Sequence, residues 1–175
     1  MSGPLSDDLF APLLIQLRDC VCAQLARTPR GPVCRCYLTY GLSSPPMDGC
    51  ICDCVTAGTG DGWVRLVRVE TAGLLDFNAL PSCDLGWDVI VELGAARCVP
   101  MSEDGDPLTA DILNSSSLDA LADLRALLRV RRCCDALKDM TVVTEVITPL
   151  GSVTSGCYAA TVQLRVSLSV GQEVC

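Results

Sequence analysis

The segment CYAATVQLRVSLSV, residues 157–170, alternates apolar and polar side chains more strictly than any other stretch of the chain. Because successive side chains of a strand point to opposite faces, this alternation predicts a β-strand with one covered face. The residues on the predicted covered face are Val162, Leu164, Val166, Leu168 and Val170. A sheet that contains this strand needs a second layer of structure against that face.

Two amphipathic segments would supply this layer. Residues 6–27 carry an apolar stripe that predicts a first helix: Leu9, Leu13, Leu17, Val21 and Leu25. Pro12 suits a first helical turn, so regular helix is expected to begin near Ala11. Residues 107–138 carry a second stripe: Leu113, Ala120, Leu121, Leu124, Leu128 and Leu137. In this second helix the NSSS run at 114–117 predicts a weak point where the helix breaks in two.

Four further segments have the composition of strands: 33–41, 63–71, 87–99 and 141–149. The predicted order is therefore helix, three strands, long helix, two strands. This order predicts an α+β fold in which helices pack on a largely antiparallel sheet of about five strands. We expect residues 1–175 to form a single domain with a long irregular loop at about 43–62.

Charge and composition exclude several functional classes. The net charge is −8 and the basic residues are scattered, which disfavours binding to a nucleic-acid backbone. No histidine is present, so the usual acid–base and Ser-His chemistry has no group to carry it.

No segment reaches the length of uncharged apolar sequence that a membrane span needs, and no secretion signal is recognisable at the N-terminus. Twelve of the thirteen basic residues are arginine, which hints at a high-GC, actinobacterial setting.

Thirteen cysteines leave more than one interpretation open. Without a recognisable secretion signal, reduced thiols that pack as small apolar groups are the first expectation, and adjacent Cys133 and Cys134 are expected to pack on the core face of their helix. Disulfides formed after release from a cell, joining the 43–62 loop to Cys83 or to the following strand, are an alternative. A zinc site is a weaker alternative, because its C-x-C spacings differ from the usual C-x₂-C. Its candidate ligands are Cys34, Cys36, Cys50, Cys52 and Cys54.

No motif predicts catalysis. The GTGDG run at 58–62 lacks the following Gly-Lys-Ser/Thr and leads into a strand, so it is not a phosphate loop. No pair of carboxylates is singled out by spacing, and we expect no enzymatic activity and no cofactor. Trp63 and Trp87 begin strands and are expected to anchor the core. Arg65 and Arg68 are expected on opposite faces of one strand, in an interface or in ion pairs.

Four segments resemble a small structural protein that actinobacteriophages encode among their head-to-tail joining genes. They are CDCVTAGTGDGWVRLVRVE, LGWDVIVELGAARCVP, RRCCDAL and SGCYAATVQLRV, and the resemblance covers most of residues 34–170. Among joining proteins, the predicted element order is similar to that of the tail terminator family of long-tailed (siphovirus) phages. A stopper or connector ring on the head side is the alternative within the same class, and a cysteine-rich zinc-binding module is the alternative from another class.

The resemblance implies a virion protein that assembles in the cytoplasm of an actinobacterial host. A terminator forms a ring, expected to be hexameric, on the last ring of major tail tube protein. This ring ends tube polymerisation and presents a surface to the stopper or connector proteins of the head, while DNA passes through the lumen without specific binding. We expect the 43–62 loop and the strand after it to reach a neighbouring subunit or the tube. The candidate interface residues are Asp48, Asp53, Asp61, Trp63, Arg65 and Arg68.

Overall fold

A computed structural model describes residues 10–41, 59–72, 86–99, 107–148 and 157–168. These residues form two α-helices, one short 3₁₀ helix and five strands. In chain order they are α1 (Phe10–Leu25), β1 (Arg35–Tyr40), β2 (Asp61–Ala72), β3 (Gly86–Cys98), α2 (Ala110–Cys133), the 3₁₀ helix (Asp135–Leu137), β4 (Thr141–Thr148) and β5 (Cys157–Leu168). Asp61 and Gly62 of the predicted 43–62 loop belong to β2, and residues 43–58 of that loop lie outside the described residues.

The five strands form one mixed sheet in the order β1-β2-β3-β5-β4. β1 runs parallel to β2, and the other neighbouring pairs are antiparallel. Both helices pack on the same face of this sheet, α1 over β1 and β2 and α2 over β3 and β5. The predicted α+β fold is therefore confirmed.

The core lies between the helices and the sheet. In β5 the alternation predicted from sequence is confirmed, with every even position from Tyr158 to Leu168 buried. In α1 the four described members of the predicted stripe are buried: Leu13, Leu17, Val21 and Leu25. Pro12 is the third residue of α1, where its missing N–H breaks no intrahelical bond.

The second helix differs from its prediction in two ways. It is continuous through the NSSS run, because Thr109 caps its N-terminus and Ser117 bonds back to the Leu113 carbonyl instead of competing with the helix. Its buried side is also rotated relative to the predicted stripe. The buried residues are Ala120, Asp123, Ala126, Leu127 and Val130, whereas three predicted core leucines are exposed, namely Leu113, Leu121 and Leu128.

Two disulfides fasten α1 to the rest of the fold. Cys20 is bonded to Cys134 after α2, and Cys22 is bonded to Cys36 on β1. The expectation of reduced thiols does not hold for these four cysteines. Cys134 is buried as predicted, but Cys133 is exposed and free, because the helix turns by about 100° per residue and adjacent residues cannot share one face.

Candidate functional site

The described part of the predicted interface lies on β2, and Asp48 and Asp53 lie outside the described residues. A β-bulge between Leu66 and Arg68 shifts the register of β2 against β3. Arg65 therefore lies opposite Glu92, and Arg68 opposite Ile90. Because Glu92 and Ile90 are two residues apart, both arginines point to the same face of the sheet, the one opposite the helices. The prediction that they lie on opposite faces is wrong, because the extra residue resets the alternation.

Arg65 and Trp63 take part in a buried charge network on this face. Two guanidinium nitrogens of Arg65 donate to the Glu92 carboxylate, Nη2 to Oε2 at 2.6 Å and Nε to Oε1 at 3.0 Å. The Trp63 indole donates to Glu92 Oε1 at 3.1 Å, and the Arg65 Nη1 donates to the Gly41 carbonyl at 2.8 Å. The indole lies over Gly94, where a Cβ would overlap the ring. Trp63 is thus a core anchor, as predicted, and Arg65 is engaged within its own chain.

Asp61 and Arg68 are also held in ion pairs. Arg35 on β1 donates to both carboxylate oxygens of Asp61, at 2.8 and 2.7 Å. This hydrogen bonding raises the pKa of Arg35, and burial raises the pKa of nearby Tyr37, with the Asp61 carboxylate adding to the effect. Arg68 is half exposed and pairs with Glu70. All four described candidates therefore have partners within the chain, and Arg68 is the most accessible of them.

A second buried network, which the sequence did not predict, joins α2 to the sheet. Arg97 on β3 and Asp123 on α2 form a fully buried ion pair, with Nε and Oδ2 3.1 Å apart. Arg97 also donates to the carbonyls of Thr59 at 2.7 Å and Gly31 at 2.8 Å. The Tyr158 hydroxyl donates to Asp123 at 2.6 Å. Burial raises the pKa of Tyr158 above its usual range, and Asp123 adds to this, so the phenol stays protonated.

The sequence carried one signal for this network. Arg97 follows an apolar run in β3, and Asp123 interrupts the apolar spacing of α2. A charged residue at a core position needs a partner of opposite charge, so each of the two positions indicates a buried partner without naming it. Their mutual approach depends on the packing of α2 on the sheet, which periodicity does not specify.

The polar groups of both networks already have hydrogen-bond partners. Every buried side-chain nitrogen or oxygen in the described parts of the chain has a hydrogen-bond partner. Across the same residues, no group of three or more His, Cys, Asp or Glu side chains is placed to hold a metal ion. Of the candidate zinc ligands, Cys34 and Cys36 are both disulfide-bonded, Cys36 to Cys22, and Cys50, Cys52 and Cys54 lie outside the described residues. The arrangement positions elements of the fold and leaves these charged groups little capacity to bind a substrate.

The described residues line at least two surface cavities. One, of about 310 Å³, lies beside the N-terminal half of α2 and is lined by Arg30, Asp111, Ile112, Ser115, Ser116 and Asp119. The other, of about 410 Å³, lies between the start of α1 and the end of β5, with Leu13, Met140 and Leu168 among its lining residues. The first holds two carboxylates and an arginine, and the second combines apolar side chains with Gln16, Asp139 and Ser167. Neither combines a nucleophile with a paired base.

The most conspicuous accessible feature is apolar. α2 lies on the side of α1 toward β4, and Asp119 faces Arg30 in the segment after α1, 3.8 Å away. At about 100° per residue, Leu121 and Leu128 lie on the opposite side of the helix from Asp119, away from α1. β4 forms the sheet edge on that side. The exposed large apolar residues of these two elements are Leu113, Leu121 and Leu128 of α2 and Val143, Val146 and Ile147 of β4. Val143 and Val146 lie on the face of the sheet opposite the helices, and Ile147 lies on the helix face.

No protein-family model matches the chain, and no curated protein sequence matches it. Neither α-helix in the described ranges combines the length and the apolar character that crossing a bilayer requires.

Proposed function

We propose that this chain is a phage virion protein, a tail terminator that forms a ring on the end of the tail tube. The observation that carries the proposal is the element order: a helix, three strands, a second helix and two strands, with both helices on one face of a mixed sheet. This order is similar to that of the tail terminator family, and the quoted segments include most of β2, β3, the end of α2 with the 3₁₀ helix, and most of β5.

The character of the described surface supports an assembly role. The charged interface candidates that the structure describes, Asp61, Arg65 and Arg68, are engaged in ion pairs within the chain. Within the described residues, α2 and β4 expose several large apolar side chains, and exposed apolar surface is typical of protein–protein contacts. A net charge of −8 suits a ring through which DNA passes, because an acidic lumen does not retain a polyanion.

In this function the ring binds major tail tube protein on one side and stopper or connector proteins of the head on the other. It closes by repeating one contact between unlike faces of neighbouring subunits, which is how cyclic assemblies form. Six copies are expected by similarity to the family. The subunits assemble in the host cytoplasm and remain in the virion neck, and no bond-making chemistry is required.

The test uses tail tube protein from the same phage, allowed to polymerise in vitro with and without this protein. We expect substoichiometric amounts to shorten the tubes and to place a ring at one tube end in negative-stain electron micrographs. A stopper would leave tube length unchanged and would bind the head-side connector instead. Tubes of unchanged length with bare ends, together with no binding to the connector, would refute a joining role.

A further inference from the structure

We propose that two copies of this chain pair through the outward side of α2, with the two helices antiparallel and related by a two-fold axis. We call this side the outer stripe; its residues are Asn114, Leu118, Leu121, Arg125, Leu128 and Arg132. A two-fold pair does not by itself close a ring, so the dimer is a state of the free subunit. It goes beyond the tail function proposed above and does not rest on it.

The outer stripe has the spacing that two packed helices use. Its six residues are all exposed and follow one another at intervals of four, three, four, three and four. This alternation places a line of side chains along one side of a helix, where they can interlock with the side chains of a facing helix. At about 100° per residue, buried Val130 lies about 180° round the helix from Leu121, so the stripe faces away from the core.

The middle of the stripe is apolar. Leu118, Leu121 and Leu128 are 66%, 53% and 36% exposed, although all three lie along one line of one helix. Single exposed leucines are ordinary on protein surfaces, but a row of them indicates a contact surface. The first buried residue of α2 is Ala120, so residues 110–119 receive little packing from their own core, and an isolated helix of this length is marginal in water. A second helix would supply that packing.

The charges of α2 select a second copy as the partner and fix its direction. Asp111 lies in the first turn, and the C-terminal part of the helix carries Arg125, Arg129, Arg131 and Arg132, all exposed. An antiparallel pair centred on Leu121 brings Asp111 of each copy beside Arg132 of the other, because the two residues are almost equally far from the centre. A parallel pair would place Asp111 beside Asp111 and Arg132 beside Arg132. Charge complementarity therefore favours the antiparallel arrangement.

The same alignment covers each leucine of the stripe. Leu121 meets its own counterpart on the two-fold axis, as one residue must in a contact between identical surfaces. Leu118 lies opposite Arg125, whose aliphatic stem can cover it while the guanidinium stays in water. Leu128 lies opposite Asn114. No two charges of the same sign meet along the stripe.

The first experiment measures the oligomeric state of three proteins by sedimentation equilibrium. We expect the wild type to form dimers and Leu121→Arg, which places two positive charges together on the axis, to dimerise at least about tenfold more weakly. Ile15→Arg is the matched control, because Ile15 is 42% exposed on the other helix, and it should dimerise like the wild type. Circular dichroism verifies that each variant is folded. Equal weakening by both substitutions would overturn the assignment to α2.

The second experiment tests the direction of the helices by exchanging charges. Asp111→Arg and Arg132→Asp each place like charges together twice per antiparallel dimer, so each alone should weaken dimerisation about tenfold. The chain that carries both substitutions restores opposite charges at both contacts and should recover the affinity of the wild type. A folded double variant that does not recover would overturn the antiparallel arrangement, since in a parallel pair like charges would still meet.

The dimer and the tail function can fail separately. A wild type that stays monomeric up to its solubility limit, or dimers that Leu121→Arg leaves intact, would overturn the dimer and leave the tail function standing. Dimers that behave as expected, from a protein without effect on tail tubes, would support the dimer and refute the tail function.

Discussion

The two faces of the sheet use similar ion pairs for different structural purposes. On the face opposite the helices, Arg65 and Glu92 join neighbouring strands that the backbone ladder already holds together. On the helix face, Arg97 and Asp123 join the sheet to α2, and Arg97 also reaches the carbonyls of two preceding segments. The comparison shows that the contribution of a buried ion pair to stability depends on what else connects the two elements that it joins. We therefore expect substitutions on the helix face to cost more stability.

The largest effect is expected from the Cys20–Cys134 disulfide on the helix side. Its two cysteines are 114 residues apart, and a cross-link that closes a loop of this length stabilises the folded state by about 5 kcal/mol. Cys20→Ala with Cys134→Ala should lower the free energy of unfolding by about that amount in urea titrations without reductant. Cys133→Ser, at the exposed free thiol, is the control and should change little. A loss as small as that of the control would show that packing and the Cys22–Cys36 disulfide hold α1 in place without this cross-link.

The next effect is expected at Arg97. Arg97→Met leaves the Asp123 carboxylate buried with only the Tyr158 hydroxyl as a described partner, and breaking a buried pair in this way costs about 3–5 kcal/mol. Adding Asp123→Leu should recover part of the loss, because it removes the uncompensated charge. Urea unfolding of the two variants tests this. If adding Asp123→Leu destabilised the protein further by as much as Arg97→Met does alone, the two residues would not stabilise the fold as a pair.

A smaller effect is expected at Arg65 on the other face. After Arg65→Met, Glu92 keeps two donors, the Trp63 indole at 3.1 Å and the Gln163 amide at 3.5 Å, and the strand ladder still joins β2 to β3, so we expect a loss of about 2 kcal/mol. This measurement bears directly on the comparison of the two faces. A loss equal to or larger than that of Arg97→Met would mean that strand pairing does not offset the missing ion pair, and the distinction between the faces would fail.

The smallest effect is expected at Tyr158 and depends on pH. Tyr158→Phe removes the hydrogen bond to Asp123 and should cost about 1–1.5 kcal/mol at neutral pH. Because the pKa of Tyr158 is raised in the folded state, its contribution is complete below the ordinary tyrosine value of about 10 and is lost as the pH rises above it. Stability of the wild type should therefore fall more steeply above that pH than stability of the variant. Exposed Tyr40→Phe is the control, and equal slopes for all three proteins would contradict the prediction.

Much of the fold could be predicted from sequence, but less of the candidate site. Trp63 was correctly expected in the core, because a large aromatic residue at the start of a strand usually packs there. The shared face of Arg65 and Arg68 was missed, since a single-residue bulge leaves no mark in the alternation of VRLVRVE. The exposed leucines of α2 were predicted to lie in the core for a related reason. Residue spacing cannot tell which of two adjacent apolar stripes on a helix is buried, and only the packing of the helix against the sheet decides it.

Sequence alone determined the helices and strands and their order, because alternation and helical spacing are properties of residues close together in the chain. Tertiary structure decided which side of α2 is buried, since the charge of Asp123 is tolerated there only where Arg97, 26 residues away, meets it. It also decided the partners of Cys20 and Cys22, because the packing of α1 against the end of α2 and against β1 brings the sulfurs within bonding distance.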